Sequence, residues 1–233
     1  MDNSKPLVSV LMSVRNGEQT VEKSIKSILN QSYDYLEFLI IDDCSTDSTL
    51  GKLKILEKQD SRISIFTNSE NIGLTKSLNK LIKNAKGELI ARQDADDYSN
   101  PDRIYTQVQY LIKNNLDAVA SRALIIGSTK KIPGLSYFIP TKLMIKFKNP
   151  FLHGSLIINK QVLNDLGLYD ENFYFAQDYK LYLDLLSKGY SIKAINKTLY
   201  NLNTINNISN NNKDEQKYYF NCARKKIVPV KKL

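Results

Sequence analysis

The chain has 233 residues, 42% of them apolar and 24% charged, and its 33 Lys and Arg against 24 Asp and Glu give a formal net charge of +9. That length supports one substantial core, and the composition is that of a folded globular protein rather than a disordered or fibrous one. No apolar run approaches the roughly 20 residues that cross a bilayer, the start "MDNSKPLVSVLMSV" lacks the pattern of a secretory leader, and Cys44, Cys222 and a single histidine form no zinc set but fit free thiols in a reducing cytosol.

"LVSVLMSV" (7–14) is a continuous apolar run rich in β-branched residues and reads as a buried strand. "TVEKSIKSILNQ" then carries Val21, Ile25, Ile28 and Leu29 on one helical face. "LEFLIID" (36–42) is a second strand, and Ser45 or Thr46 can cap a helix bearing Leu50, Leu53 and Leu56. "RISIFTN" is a third strand. The helix after it places Leu74, Leu78, Leu81 and Ala85 together, with Gly87 as its stop. "ELIARQD" is a fourth strand, Pro101 opens a helix with Ile104, Val108, Leu111 and Ile112, and "DAVASRALIIG" is a fifth strand. Strand–helix alternation of this kind predicts an α/β fold with a mainly parallel, Rossmann-like sheet flanked by helices on both faces. The alternation weakens after residue 127. "FLHGSLIIN" (151–159) reads as a strand, "QDYKLYLDLLSKG" as a helix and "YSIKAIN" as a last short strand. The Asn-rich stretch from Asn201 reads as a loop, and "ARKKIVPVKKL" as a basic tail. The expected division is a first half over 1–127, a second half over 128–200, and the Asn-rich loop and basic tail over 201–233.

In open parallel sheets, ligands bind beyond the carboxyl ends of the strands. Two acidic clusters fall there: Asp42 and Asp43 after the second strand, and Asp94, Asp96 and Asp97 after the fourth. Helix capping needs one acid at each place, not three in four residues. A divalent cation such as Mg2+ or Mn2+, which takes oxygen ligands and keeps positions open for phosphates, accounts for the rest. No G-x-G-x-x-G follows the first strand and no P-loop occurs, so a phosphate-bearing ligand leans on metal charge rather than on a glycine cradle.

The segments 8–49, 71–103, "HGSLIINKQVL" and "AQDYKLYLDLL" together resemble, in order, the family-two inverting glycosyltransferases with the GT-A fold, over about residues 6–200. The resemblance implies transfer of a sugar from a nucleotide diphosphate donor, a UDP- or dTDP-sugar, to an acceptor hydroxyl with Mg2+ or Mn2+. It implies that the strand end at Ser13 lines the nucleotide pocket and that Asp43 meets the base. Asp94 and Asp96 would contact ribose and donor, Asp96 and Asp97 the metal, His153 the donor phosphates or acceptor, and Asp178 would be the catalytic base. Departures are Ser13 and Arg15 where the family often has Pro and Tyr, Gln177 where Glu precedes the base, and Asn in place of the Arg or His found past Tyr200.

The residues alone leave other roles open. Asp178 could be a plain helix cap, His153 a core histidine, and Tyr174 and Phe175 either core or a stacking surface for a sugar. A catalytically silent sugar-nucleotide-binding subunit and a sugar-1-phosphate nucleotidyltransferase compete with the transferase reading. "MSVRNGEQT" lacks the glycine-rich, lysine-bearing loop that the nucleotidyltransferase needs. The expected setting is cytoplasmic, at the inner face of the membrane. The basic C-terminus would contact anionic lipid there, and the acceptor would be a glycan or lipid-linked sugar. No nucleic-acid-binding motif occurs.

Overall fold

The computed structural model describes residues 5–204 and 212–230. Four strands, β1 (Val8–Val14), β2 (Leu36–Asp42), β3 (Ile63–Thr67) and β4 (Leu89–Arg92), pair in parallel in the order β3-β2-β1-β4. Beyond β4 the sheet continues through β8 (Ile157–Asn159), β6 (Ala118–Ile125), β9 (Ile192–Leu202) and the short β5 (Tyr98–Ser99), with β7 (Lys131–Ile132) paired antiparallel to the far end of β6. β8 runs antiparallel to both β4 and β6, whereas β6 and β9 are parallel. Most of the paired length is parallel, and β8 is the antiparallel joint between the two parallel parts.

Side chains alternate across a strand, and that divides the core in two. Val8, Val10 and Met12 of β1, with Phe38 and Ile40 of β2, meet α1 (Val21–Leu29), α2 (Thr49–Gln59) and α4 (Arg103–Lys113) on one face. Leu11, Leu39 and Ile41 point the other way. They meet α3 (Leu74–Asn84), α6 (Lys160–Leu166), α7 (Gln177–Ser187) and α8 (Lys213–Lys225). A small helix, α5 (Thr141–Met144), precedes the turn into β8.

Several local expectations change. The second helix starts at Thr49, later than Ser45 or Thr46, because Asp47 accepts the Thr49 N–H at 3.0 Å. Pro101 lies in a turn, and α4 begins two residues on with Asp102 as its N-cap. Gly87 does not stop α3, which ends at Asn84. Residues His153–Ser155 form a 3-10 turn rather than strand, so only Ile157–Asn159 pairs. β9 is longer than the short strand expected. Its register shifts against β6 around Arg122, and the exposed Lys193, Asn196 and Lys197 hide its apolar rhythm. The largest change lies in 201–233. β9 extends to Leu202, and α8 occupies Lys213–Lys225, burying Tyr219, Cys222 and Ala223 while Phe220 stacks on Tyr179 with centroids 4.0 Å apart. The sequence obscures this helix because its start is polar and its buried face is narrow. Most of the Asn-rich run, and Lys231 and Lys232, lie outside the described residues. No described helix is long and apolar enough to cross a membrane.

Ile158 is fully buried and pairs with Ile90 of β4 and Ala118 of β6. Ile158→Ala is therefore expected to lower unfolding stability by about 2–5 kcal/mol, read as a shift of the urea midpoint. A shift worth less than about 1 kcal/mol would mean that β8 is not the joint described.

Candidate active site

The carboxyl ends of β1, β2 and β4 open into a cleft of about 1190 Å³, closed from the other side by the His153–Ser155 turn and the start of α7. The acidic turn after β4 forms its floor. Arg92, the last residue of β4, is 1% exposed. Its guanidinium donates to the Leu11 carbonyl at 2.8 Å and to Asp94 Oδ1 at 2.6 Å. Gln93, fully buried, donates through Nε2 to the carbonyls of Asp94 and Asp97, both at 3.1 Å. The Tyr200 hydroxyl accepts the Asp94 N–H at 3.1 Å, and Asp97 Oδ1 accepts the Asn203 N–H at 2.6 Å. The turn is held by β1, by β9 and by its own glutamine.

The carboxylates are then unequal. Asp94 is neutralised on one oxygen by Arg92. Asp97 is buried and engaged by Asn203 and Tyr200; burial, then the charges of Asp94 and Asp96, raise its pKa. Among the described residues Asp96 meets only its own backbone N–H, and burial followed by the nearby Asp94 charge pushes it up to about 6. Below the turn lies a second buried cation, Arg103. All three of its guanidinium nitrogens lack a hydrogen-bond partner among the described residues, and its Cζ sits 5.6 Å from the Tyr200 ring centre. Burial lowers it to about 10, which leaves it charged at neutral pH.

Asp43, just past β2, organises a second wall. Its Oδ1 accepts from Asn68 Nδ2 at 2.9 Å and from the Ile72 N–H at 3.0 Å, and its Oδ2 from the Gly73 N–H at 2.9 Å. Gly73 has φ +84, and a side chain there would press on the Tyr174 ring, 2.7 Å from its nearest atom. Ser13 and Arg15 line the same end of the cleft.

The opposite wall carries Asp178, the second residue of α7. The helix cap is Ala176 in the left-handed region with φ +53, so Asp178 is not itself the N-cap but a first-turn acid. Asp178 Oδ2 accepts from Asn149 Nδ2 at 2.6 Å, and Oδ1 from the Tyr179 N–H at 2.8 Å. The Asn149 Oδ1 in turn accepts the Phe151 N–H, which fixes the amide so that its NH2 faces the carboxylate. Burial outweighs these bonds and pushes Asp178 up to about 6. His153 pairs through Nε2 with the Tyr169 hydroxyl at 2.8 Å, and burial with the Arg92 charge holds it well below its usual pKa, hence neutral. Gly154 has no room for a side chain, since a Cβ would lie 2.6 Å from Asp94 Oδ2. The turn thus presses directly on the acidic floor. Asp170 and Glu171, the other acids near α7, face a separate depression with Asn79.

Ser13, Asp43, Asp94, Asp96, Asp97, His153 and Asp178 all line this one cleft. Arg92, Gln93, Arg103, Asn149 and Tyr200 escaped the sequence reading. Charged Arg92 inside an apolar strand was the one visible signal among them. Seven carboxylates line the cleft (Glu18, Asp43, Asp47, Asp94, Asp96, Asp97 and Asp178), and Arg15 is the only Lys or Arg among its described lining residues. No group of three metal-ligating side chains forms among the described residues. A cation cage made of protein alone is therefore absent there. An under-compensated Asp96 beside Asp94 and Asp97 does fit a divalent ion that draws its other ligands from a bound phosphate.

The profile of the family described as Glycosyl transferase family 2 matches residues 9–167. A glycosyltransferase of Haemophilus influenzae is 35% identical over 200 residues, covering 79% of this chain and 61% of its own, so the chain spans less than two thirds of that relative. The Escherichia coli UDP-Glc:alpha-D-GlcNAc-diphosphoundecaprenol beta-1,3-glucosyltransferase WfgD is 32% identical over 193 residues, 82% of this chain and 73% of its own. In fold, the mannosyltransferase PcManGT of Pyrobaculum calidifontis, solved with GDP-Man and Mn2+, superposes with a TM-score of 0.78 at 18% identity, covering 99% of this chain and 67% of its own.

Tyr200→Phe removes the acceptor of the Asp94 N–H while keeping the ring over Arg103. A loss of about 1–3 kcal/mol is expected from the unsatisfied donor, measured by urea unfolding. Unchanged stability would mean that the turn does not depend on β9.

Proposed function

The chain belongs to glycosyl transferase family 2, and from that premise we propose that it moves a sugar from a UDP- or dTDP-sugar to a hydroxyl of a glycan or lipid-linked acceptor, with inversion, in surface polysaccharide or glycolipid biosynthesis at the cytoplasmic face of a membrane. The observation that carries this reading is the opposition, across one cleft, of the acidic floor at Asp94–Asp97 and the pre-oriented carboxylate of Asp178. Residues 1–127 would bind the donor and residues 128–200 the acceptor. WfgD, by its name, uses UDP-Glc and a diphosphoundecaprenol-linked sugar, which favours a donor and an acceptor of those classes here.

The donor end follows from hydrogen-bond capacity. An ionised carboxylate has about four acceptor sites, and Asp43 uses three on the loop that follows β3. The remaining site suits the imide N–H of uracil or thymine. Ser13 would stand beside the nucleoside. An anionic diphosphate cannot enter so acidic a cleft without a counter-cation. Asp96, with Asp97 behind it and Asp94 toward the ribose, would hold Mg2+ or Mn2+. When bound, that ion supplies Lewis-acid stabilisation of the leaving diphosphate. Neutral His153 would offer a hydrogen bond to phosphate or acceptor rather than a charge.

At the acceptor end, Asp178 takes the proton from the attacking hydroxyl as its oxygen bonds to the anomeric carbon. The bond to the nucleoside diphosphate breaks on the opposite face, and the anomeric centre inverts in one step. Asn149 aims the carboxylate, and burial keeps it basic enough to accept a proton near neutrality. Arg92 holds the turn from below through its hydrogen bonds, and Arg103 adds positive charge beside it.

Asp178→Asn keeps the shape of the site and should lower turnover by roughly 10²–10⁴-fold with donor affinity nearly unchanged. Because burial raises the pKa of Asp178 to about 6, the rate should fall as pH drops through that value and the base becomes protonated. A bound cation moves this limb to lower pH. Transfer is measured across pH alongside a donor titration. Near-normal transfer by Asp178→Asn would remove the residue from the mechanism, and donor binding without transfer by the wild type would favour the silent-subunit reading.

A further inference from the structure

Fourteen large hydrophobic side chains are well exposed among the described residues, and they are not scattered. Six lie within 126–147 and three within 227–230. Leu135 is 87% exposed, Phe138 68% and Phe147 68%. Monomeric soluble proteins rarely show such concentration without a partner. The same segment is basic. No Asp or Glu occurs between Asp117 and Asp165, whereas Lys130, Lys131, Lys142, Lys146 and Lys148 do.

The backbone fixes how these groups are presented. α5 continues as helical turns, with the N–H of Lys148 bonded to the Met144 carbonyl. Met144 and Ile145 are buried. Leu143 and Phe147, and likewise Lys142 and Lys146, are spaced i,i+4 and so are neighbours on the outer side. The preceding loop is tied down by the Tyr137 hydroxyl, which donates to the Ala194 carbonyl at 3.0 Å, leaving Phe138 outward. The C-terminal helix α8 is linked to the end of α5 through α7. The Tyr179 hydroxyl donates to the Ile145 carbonyl at 2.6 Å, while its ring stacks on Phe220 of α8. Past α8, the Tyr218 hydroxyl accepts the Val230 N–H at 3.0 Å, so the chain folds back with Ile227, Val228 and Val230 exposed beside Arg224, Lys225 and Lys226.

We propose that residues 126–148, with 224–230 beside them, form a docking surface for an anionic lipid bilayer. Apolar side chains entering the headgroup boundary among lysines that meet lipid phosphates are the chemistry of interfacial binding. A second protein copy would have to match five lysines without an acid between them, and the exposed face of this chain is itself basic there. Asn149, which orients Asp178, directly follows this surface, so docking would bring the acceptor end of the cleft to the lipid. The proposal rests on the transferase reading only for that purpose. It enlarges the membrane contact expected of the C-terminal tail to a surface built mainly elsewhere in the chain.

The test is flotation of the intact protein with vesicles of phosphatidylcholine alone or with added phosphatidylglycerol. Three variants accompany it: Leu135→Ser/Phe138→Ser/Phe147→Ser, Lys142→Gln/Lys146→Gln/Lys148→Gln, and Arg224→Gln/Lys225→Gln/Lys226→Gln. The wild type should float only with the anionic vesicles, and less so as salt rises. At roughly fivefold per charge, the lysine variant should lose about 100-fold in partitioning. The apolar variant should lose binding at salt concentrations where the wild type keeps it. All three should melt like the wild type and titrate a UDP-sugar with Mn2+ as it does, so a failure of docking is told apart from a failure of the transferase reading. Equal flotation with neutral vesicles, full binding by the apolar variant, loss only in the 224–226 variant, or a dimer dispersed by the serine substitutions without effect on vesicles would each overturn the proposal.

Discussion

The site depends on one buried contact, the guanidinium of Arg92 beneath the turn that carries Asp94, Asp96 and Asp97. Three carboxylates in four residues repel one another. A buried charge is tolerable only when paired and hydrogen-bonded. Arg92 meets one of the three carboxylates at 2.6 Å and ties it to β1 through the Leu11 carbonyl. Arg103 adds a second positive charge nearby, its guanidinium without a hydrogen-bond partner among the described residues. Breaking a pair of this kind costs more than forming it gains, because the partner left behind stays desolvated. What remains uncompensated is Asp96, at the cleft surface, where a ligand can reach it.

The rest of the fold serves that floor. β1 and β9 both bond to the turn, although they lie far apart in sequence. β8 joins the two parallel parts of the sheet and brings the His153–Ser155 turn against Asp94, close enough that only glycine fits at position 154. α7 begins at the strained Ala176 and turns Asp178 toward the cleft. The two walls belong to different parts of the chain, so the chemistry needs the long-range pairing to be complete.

Much of this was legible in the sequence where a local rule applied. β1 and β2 are apolar runs with no competing pattern, and the helices on residues 21–29 and 74–84 repeat their apolar residues at helical spacing. The acidic floor was legible because like charges at a strand end have no cheap structural use. The supporting groups were not. Tyr200 reaches Asp94 across 106 positions of sequence, and Asn149 reaches Asp178 across 29; no local pattern announces either contact. Helix α8 escaped because its polar start continues the Asn-rich stretch, and its buried residues Tyr219, Cys222 and Ala223 have a partner only once α7 is in place. The apolar residues after His153 read as strand, whereas the bond from the Leu156 N–H to the His153 carbonyl closes a turn.

An acidic cleft in a chain of net charge +9 makes sense if an exchangeable cation completes it. Calorimetric titration of UDP-sugars into the wild type and Asp96→Ala, each with Mn2+ and with EDTA, measures this directly. The account predicts that the wild type binds a donor with Mn2+ and loses most of that affinity in EDTA, and that Asp96→Ala binds weakly in both while keeping the wild-type melting behaviour. Equal donor affinity with Mn2+ and with EDTA in the wild type would contradict it.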